Sequence, residues 1–220
     1  NGDGNLEVGK IKKIKGKYYG FRPGGDSKAA AMLSGLVLLE VNPSTGDILY
    51  VFDDGVDSDE LSDLLDWDGF ETSDVPPIVQ NILDHVDNLN NVSLYYFGDE
   101  ETDGAMKTGA TTVTIDGESY NFLFNKTGGV ESKGKGLTGL DDNKYIYKFG
   151  CRIKAGNDDK YQVVEVCPGY KNATDIHGFG VWVNKIDSAI LKASVTKTIT
   201  NDKNESVTMV QIPKAQSDKE

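Results

Sequence analysis

Aromatic residues alternate with other residues in several short stretches of the chain, which is the pattern of a β-strand with one buried face. Four six-residue windows share this alternation: GKYYGF at 16–21, VSLYYF at 92–97, GESYNF at 117–122 and DNKYIY at 142–147. The last three are regularly spaced, because Tyr95, Tyr120 and Tyr145 follow one another at intervals of 25 residues. A fixed interval of this size indicates an internal repeat.

Each window is followed by turn residues and by a short tail that ends in glycine. The tails are MLSG at 32–35, MKTG at 106–109, ESKG at 131–134 and IKAG at 153–156. Asp116-Gly117 and Thr127-Gly128-Gly129 are suited to the positive φ angles that a tight connection needs. We therefore predict β-hairpins that stack on one another and so bury their aromatic faces. An ordinary β-sandwich is the alternative.

A segment between the first unit and the regular ones has a helical period instead. Apolar residues recur there at intervals of three and four, at Leu61, Leu64, Leu65, Ile78, Val79, Ile82, Leu83, Val86 and Leu89. Asp57 with Glu60 has the pattern of a capping box, and Asp74 followed by Pro76 suits the start of a second helix. We predict two amphipathic helices, at 57–66 and 76–90, which lie on the hairpins and turn their acidic residues to solvent.

These patterns together predict a mainly β protein, with stacked, solenoid-like β-hairpin repeats, a small two-helix insertion and a C-terminal β region. The predicted divisions are degenerate N-terminal hairpin repeats at 1–55, an acidic helical insertion at 56–91, regular hairpin repeats at 92–157 and a C-terminal β capping region at 158–220. Alternating runs such as VTMVQI at 207–212 provide the strands of the last region.

The charge of the chain is concentrated in the predicted helices. The 220 residues carry a net charge of −12, from 35 acidic and 23 basic side chains. Twelve of the acidic side chains lie in residues 53–90, which contain no lysine or arginine, so the rest of the chain is balanced. An acidic chain of this kind is not expected to bind nucleic acid or an anionic membrane surface. No apolar run is long enough to be inserted across a membrane.

One basic stretch lies near the N-terminus. Its members are Lys10, Lys12, Lys13, Lys15 and Lys17, which alternate with Ile11 and Ile14. The alternation favours the solvated face of a strand, and an anion-binding patch is the alternative.

The repeated units resemble the cell-wall-binding repeats of Gram-positive surface proteins, of the choline-binding and glucan-binding type, and the related repeats of clostridial toxins. The resemblance rests on YYFGDEETDGAMKTG at 95–109 and GESYNFLFNKTGGVESKG at 117–134, and more faintly on KYIYKFGCRIKAG at 144–156 and KYYGF at 17–21. It implies ligand binding through aromatic side chains that stack on sugar rings, although the same rings could pack against one another. The candidate ligand-binding residues are Tyr18, Tyr19, Tyr95, Tyr96, Tyr120, Tyr145 and Tyr147.

The sequence departs from the choline-binding members at one position of the repeat. In those members a tryptophan follows the closing glycine and helps to form an aromatic cage around a quaternary ammonium group. The corresponding residues here are Leu36, Ala110, Lys135 and Asn157. None of them is aromatic, so choline is not the expected ligand.

The resemblance implies a non-catalytic module of a secreted or surface protein, extracellular and associated with the cell wall. Its partner would be a cell-envelope polysaccharide or a teichoic-acid-type glycan. One alternative is a structural or protein-interaction region that has lost ligand binding, with the acidic helical insert as the surface for a protein partner. Another is an accessory region of a cell-wall hydrolase.

Residues for catalysis are scarce. The chain has two histidines, His85 and His177, and a nucleophile pair of Cys151 with His177 has no recognisable flanking signature. We therefore predict no enzymatic activity and no cofactor. If the protein is secreted, Cys151 and Cys167 could form a disulfide, and two free buried thiols are the alternative.

A metal site is also not predicted. The weak candidates for Ca²⁺ ligands are the clustered acidic residues Asp53, Asp54, Asp57 and Asp59. Hard cations prefer carboxylate oxygens, but no loop around these residues fits the EF-hand pattern.

Overall fold

The computed structural model describes residues 8–25, 27–67, 74–87, 89–98, 104–141 and 145–154, together with strand backbones at 161–166, 185–186, 196–200 and 206–213. The protein is mainly β, with two short helices, as the sequence predicts. The first strands are β1 (Lys10–Ile14), β2 (Lys17–Phe21), β3 (Leu36–Val41), β4 (Ile48–Asp53) and β5 (Val92–Tyr96). The next are β6 (Gly109–Ile115), β7 (Glu118–Phe124), β8 (Gly139–Asp141), β9 (Tyr145–Lys148) and β10 (Cys151–Arg152).

The strands form separate antiparallel sheets. Their orders are β1-β2, then β4-β3-β5, then β6-β7-β10-β9-β8. A fourth sheet contains the C-terminal strands β11 (Tyr161–Val166), β12 (Lys185–Ile186), β13 (Thr196–Thr200) and β14 (Ser206–Pro213), in the order β12-β11-β14-β13. The predicted strand at VTMVQI 207–212 is therefore confirmed, within β14.

Three of the hairpins turn through two consecutive residues with positive φ. These pairs are Lys15-Gly16 (φ 48° and 87°), Asp116-Gly117 (50° and 86°) and Phe149-Gly150 (51° and 91°). Two-residue turns of this kind match the right-handed twist of the flanking strands. The prediction for Asp116-Gly117 is confirmed. In the predicted turn at 127–129, Gly128 has a positive φ of 93°.

The same kind of backbone hydrogen bond occurs at three places in the chain, and each strand with its tail is called a unit below. After each aromatic strand the chain loops out, and the returning tail donates a backbone N–H to the strand that precedes it. The pairs are Leu33 to Gly20 (2.8 Å), Lys107 to Tyr96 (2.7 Å) and Leu137 to Leu123 (2.9 Å). The equivalent tails are therefore MLSG at 32–35, MKTG at 106–109 and GLTG at 136–139.

This equivalence corrects the predicted third unit. Its tail lies at 136–139 and not at ESKG 131–134, and its aromatic window is 119–124 and not 117–122. The loop between strand and tail is longer in the third unit than in the second, so a constant interval of 25 residues displaces the tail. The predicted fourth tail, IKAG at 153–156, extends outside the described residues.

A second repeated hydrogen bond joins successive units. Met106 N–H, in the second tail, donates to the carbonyl of Tyr18 in the first unit at 2.8 Å. Gly136 N–H, in the third tail, donates to the carbonyl of Leu94 in the second unit at 2.9 Å. Tyr18 and Leu94 each lie two residues before the strand residue that binds its own tail. The same backbone contact therefore occurs at both junctions.

Helix α1 (Ser58–Asp66) begins as the sequence predicts. Asp57 accepts a hydrogen bond from Glu60 N–H (2.8 Å), and the Glu60 carboxylate accepts one from Asp57 N–H (3.1 Å). This reciprocal pair satisfies two N–H groups that have no partner within the helix. The predicted capping box is confirmed.

Helix α2 (Pro77–His85) differs from its prediction at both ends. It begins after Pro76, while Asp74 precedes it with a positive φ of 66° and does not cap it. It ends at His85, because Val86 is extended, and a short 3₁₀ helix follows at Leu89–Asn91. Several acidic side chains of this segment face solvent, as predicted, at Asp57, Asp59, Asp66, Asp74, Asp84 and Asp87.

The helices share a hydrophobic core with the strands. Leu61, Leu64, Val79 and Ile82 are fully buried and belong to the same cluster as buried side chains of β3, β5, β6 and β7. A second cluster lies on the other face of β3 and includes Val37, Leu39, Tyr95 and Phe97. Strand β3 is therefore buried on both faces, which explains its continuous apolar run LVLL at 36–39.

A buried lysine closes the end of α1. Lys148, in β9, is 2% exposed, and its Nζ donates to the carbonyls of Leu65 (2.9 Å) and Trp67 (2.5 Å). The last carbonyls of a helix have no partner within it, and a cation is favoured there by the helix dipole. Lys148 thus joins the end of α1 to β9.

The tip of the β6–β7 hairpin contacts the other end of α1. Asp116 accepts hydrogen bonds from the backbone N–H (2.9 Å) and the hydroxyl (2.8 Å) of Ser58. These donors hold the pKa of Asp116 below its ordinary value, since they favour the ionised form. The carboxylate also carries the sign of charge that a helix N-terminus favours.

We expect this contact to weaken in acid. Because the pKa of Asp116 is lower in the folded state, its contribution to stability is present above the unfolded-state pKa of about 3.9 and is lost as the pH falls through the folded value. An NMR titration of the Asp116 carboxyl carbon measures the shift. Ser58→Ala should raise the pKa of Asp116 part of the way to its ordinary value, whereas the control Ser62→Ala should leave that pKa unchanged. An ordinary pKa in the wild type would contradict the contact.

Candidate functional site

An open cavity lies at the first junction between units. Its volume is about 330 Å³, and it is lined by Gly16, Lys17, Tyr18, Ala105, Met106, Lys107, Thr108 and Lys133. The β1–β2 hairpin forms one side and the second tail the other, held together by the Met106 to Tyr18 hydrogen bond. The cavity therefore lies where the second tail meets the first hairpin.

Tyr18 is the aromatic residue of this cavity. Its ring is half-buried and packs against the second core cluster, which fixes its orientation. Lys13 Nζ lies 5.7 Å from the ring centroid, and Lys133 Nζ lies 5.5 Å from it. Both distances are within the range of a cation–π contact.

The two lysines reach Tyr18 by different routes. Lys13 is the direct cross-strand partner of Tyr18 in the β1–β2 ladder, so the two side chains share a face of the hairpin. Lys133 belongs to the loop that follows β7 and donates to the carbonyl of Lys126 at 2.9 Å. This contact holds the ammonium group of a loop residue near the ring.

The equivalent surface at the second junction is closed. There Leu94 takes the place of Tyr18, is fully buried and belongs to the core cluster that contains the helices. Ser93 is also buried, and its hydroxyl donates to the carbonyl of Gly136 at 3.2 Å. The helical insertion thus contributes to covering one junction, while the first remains open.

The other predicted tyrosines do not line the cavity. Tyr95 is fully buried, with its ring centroid 6.4 Å from that of Phe97, and burial raises the pKa of its hydroxyl. Tyr147 is 7% exposed. The structure places both in the core, where their rings have no open face for a sugar.

The remaining four tyrosines are half-buried at separate places: Tyr19, Tyr96, Tyr120 and Tyr145. The Tyr120 hydroxyl donates to Glu118 at 3.1 Å, and Arg152 lies 5.2 Å from the centroid of the Tyr145 ring. The structure does not bring these rings together with Tyr18 into one binding surface.

Three of the four acidic residues considered for Ca²⁺ contact other groups of the chain. Asp53 accepts from Gly55 N–H (2.7 Å), and Asp54 forms ion pairs with Arg22 (2.6 Å) and Lys28 (3.2 Å). Asp57 caps α1, and Asp59 lies exposed in its first turn. Within the described ranges, no group of three or more His, Cys, Asp or Glu residues could hold a metal ion.

Of the residues considered for catalysis, the structure describes Cys151 and His85. Cys151 is buried, and burial raises the pKa of its thiol to about 12, so the thiolate is disfavoured near neutral pH. His85 lies on α2, stacked on Tyr50 at 4.7 Å, with Nδ1 2.7 Å from the carbonyl of Asn81. Cys167 and His177 lie outside the described residues, so the disulfide stays a prediction.

Sequence reasoning missed most of the cavity. Lys107, Met106 and Lys133 lie in tails and loops, and the spacing of the repeat does not indicate which of their side chains lies beside Tyr18. The contact of Lys13 with Tyr18 could have been predicted, because the two-residue turn at Lys15-Gly16 fixes the register that pairs these residues.

Comparison with protein-family models, with curated proteins and with solved structures finds no match to this chain. In the part of the chain that the structure describes, neither helix has the length and apolar character needed to cross a bilayer.

Proposed function

We propose that this chain is a non-catalytic, glycan-binding repeat module of a protein that is exported and associated with a Gram-positive cell wall. The observation that carries the proposal is the open cavity at the first junction, with Tyr18 as its aromatic platform. A tyrosine ring offers a flat apolar face for a sugar and a hydroxyl for hydrogen bonding. Its packing against the core limits the entropy lost on binding.

The proposal includes a solenoid-like stack of units. Its support is the pair of repeated backbone hydrogen bonds, one within each unit and one between successive units. Further support comes from the stacked aromatic pairs Tyr95–Phe97 and Phe122–Phe124, which occupy equivalent positions in the second and third units. A module of this kind presents its ligand sites at junctions between neighbours.

A cell-wall sedimentation assay tests the proposal. The wild type is expected to sediment with purified Gram-positive walls, and Tyr18→Leu is expected to lower the affinity about tenfold, because leucine keeps the core contact and removes the stacking face. Tyr50→Leu is the matched control, since Tyr50 is an exposed aromatic residue outside the cavity. A wild type that stays in the supernatant would contradict the proposal.

A protein-interaction region is the second candidate. The observation in its favour is the exposed acidic side of the helices, which include Asp59, Asp66 and Asp84. On this alternative the burial of Tyr95 and Tyr147 reflects a purely structural use of the aromatic rows. The sedimentation assay separates the two, because only glycan binding predicts a difference between Tyr18→Leu and Tyr50→Leu.

A further inference from the structure

The charge around Tyr18 restricts the kind of ligand that its cavity accepts. Two ammonium groups, of Lys13 and Lys133, lie within 6 Å of the centroid of a single ring. Lys17 and Lys107 also line the cavity, and no aspartate or glutamate occurs among the described residues that line it. The described lining of the cavity therefore includes basic side chains and no acidic one.

A cationic ligand is disfavoured at this position. The attraction of the Tyr18 ring for a cation is already used by two lysines, and a quaternary ammonium group that approached the ring would be repelled by both. The site therefore has the opposite charge preference to an aromatic cage that holds choline.

An anionic ligand gains from the same arrangement. Each ammonium group offers N–H donors to phosphate or carboxylate oxygens, and charge-assisted hydrogen bonds of this type are stronger than neutral ones. The two nitrogens are at most about 11 Å apart, as follows from their distances to the ring, so one short anionic segment can reach both. The Tyr18 ring beside them offers an apolar face on which a sugar can stack.

We propose that the Tyr18 cavity binds an anionic glycan, whose phosphate or carboxylate groups contact Lys13 and Lys133 while a sugar or polyol face lies on Tyr18. This inference rests on the proposed glycan-binding function and specifies the chemical class of the ligand. Phosphodiesters of a teichoic-acid-type polymer and carboxylates of an acidic polysaccharide both supply the required charge.

Calorimetric titration with defined polymers tests the inference. The probes are poly(glycerol phosphate), polygalacturonate, the neutral glucan dextran, and choline chloride. We expect the wild type to bind at least one of the two anionic polymers more tightly than dextran, and to bind it more weakly as NaCl is raised, since salt screens exposed charges. Whichever anionic polymer binds more tightly identifies the phosphate or the carboxylate as the recognised group.

Charge variants locate the site. Lys13→Gln combined with Lys133→Gln should weaken binding of the anionic polymer about tenfold. Lys10→Gln combined with Lys12→Gln is the matched control, because it removes the same charge from the opposite face of the same strand. Because Lys133 lies in a loop, Lys133→Gln alone should leave the β1–β2 hairpin unaltered. It should show part of the loss of affinity for the anionic polymer.

Several outcomes would overturn the inference. These are tighter binding of dextran than of either anionic polymer, binding of choline, or equal losses in the two double variants. If the wild type sediments with cell walls but neither anionic polymer competes, the proposed function stands and the anionic ligand is wrong. If the wild type does not sediment with any cell wall, the proposed glycan-binding function and the anionic ligand are both wrong.

Discussion

Replacing Lys148 with methionine is expected to lower the free energy of unfolding by about 3 kcal/mol. Methionine keeps much of the volume but removes the donors that the carbonyls of Leu65 and Trp67 use at the end of α1. Those carbonyls are then left in a buried region without the ammonium group, and an unsatisfied buried polar group is costly. The loss should appear as a lower urea midpoint, followed by far-ultraviolet circular dichroism.

Lys148→Met should loosen the last turn of α1 in addition to lowering the stability of the whole protein. Backbone amides in the last turn of α1 should exchange with solvent faster than those of α2, because only the first helix ends at Lys148. Lys126→Met is the control, since Lys126 is exposed just after β7, and it should change stability by less than about 0.5 kcal/mol. An unchanged midpoint in Lys148→Met would show that the lysine does not close the helix.

Replacing Gly136 with alanine is expected to destabilise the protein by about 3 kcal/mol. A Cβ at this position would lie 2.3 Å from the carbonyl oxygen of Phe149 and 2.6 Å from its carbonyl carbon. Both atoms belong to backbone, so no side-chain rotation relieves the clash. The turn at 149–150 would have to move, although Gly150 N–H donates to Leu137 (2.7 Å) and Leu123 N–H donates to Gly150 (2.8 Å).

The matched control for Gly136→Ala is Gly55→Ala. Gly55 has no positive φ, and a Cβ there would meet nothing within 4 Å. We expect the free energy of unfolding of this control to lie within about 0.5 kcal/mol of that of the wild type. Equal urea midpoints for Gly136→Ala and the wild type would mean that the turn at 149–150 is not held against the third tail.

The features that sequence predicted correctly depend on neighbouring residues. Asp116-Gly117 specifies its turn through the conformations those two residues tolerate, and Asp57 with Glu60 specifies a helix start through a contact within one turn. The aromatic windows predicted core residues, and Phe97, Phe122 and Phe124 are buried. In each case the physical cause lies within a few positions of the chain.

The features that sequence missed depend on distant residues or on loop length. Lys148 resembles any polar residue of a short strand, and its role exists only because α1 ends beside it. The third tail was displaced because the loop between 124 and 136 is longer than the loop between 97 and 106. Lys133 meets Tyr18 only after the loop that follows β7 has folded against the first hairpin.

The buried lysine also bears on the order in which the chain folds. The tail contacts join residues that are close in sequence, such as Gly20 with Leu33, so each can form with little loss of loop entropy. The end of α1, by contrast, is closed by Lys148, which lies about 80 positions further along the chain. During synthesis, which starts at the N-terminus, we therefore expect the first hairpin and its tail to form early. The last turn of α1 should be completed only after β9 has left the ribosome.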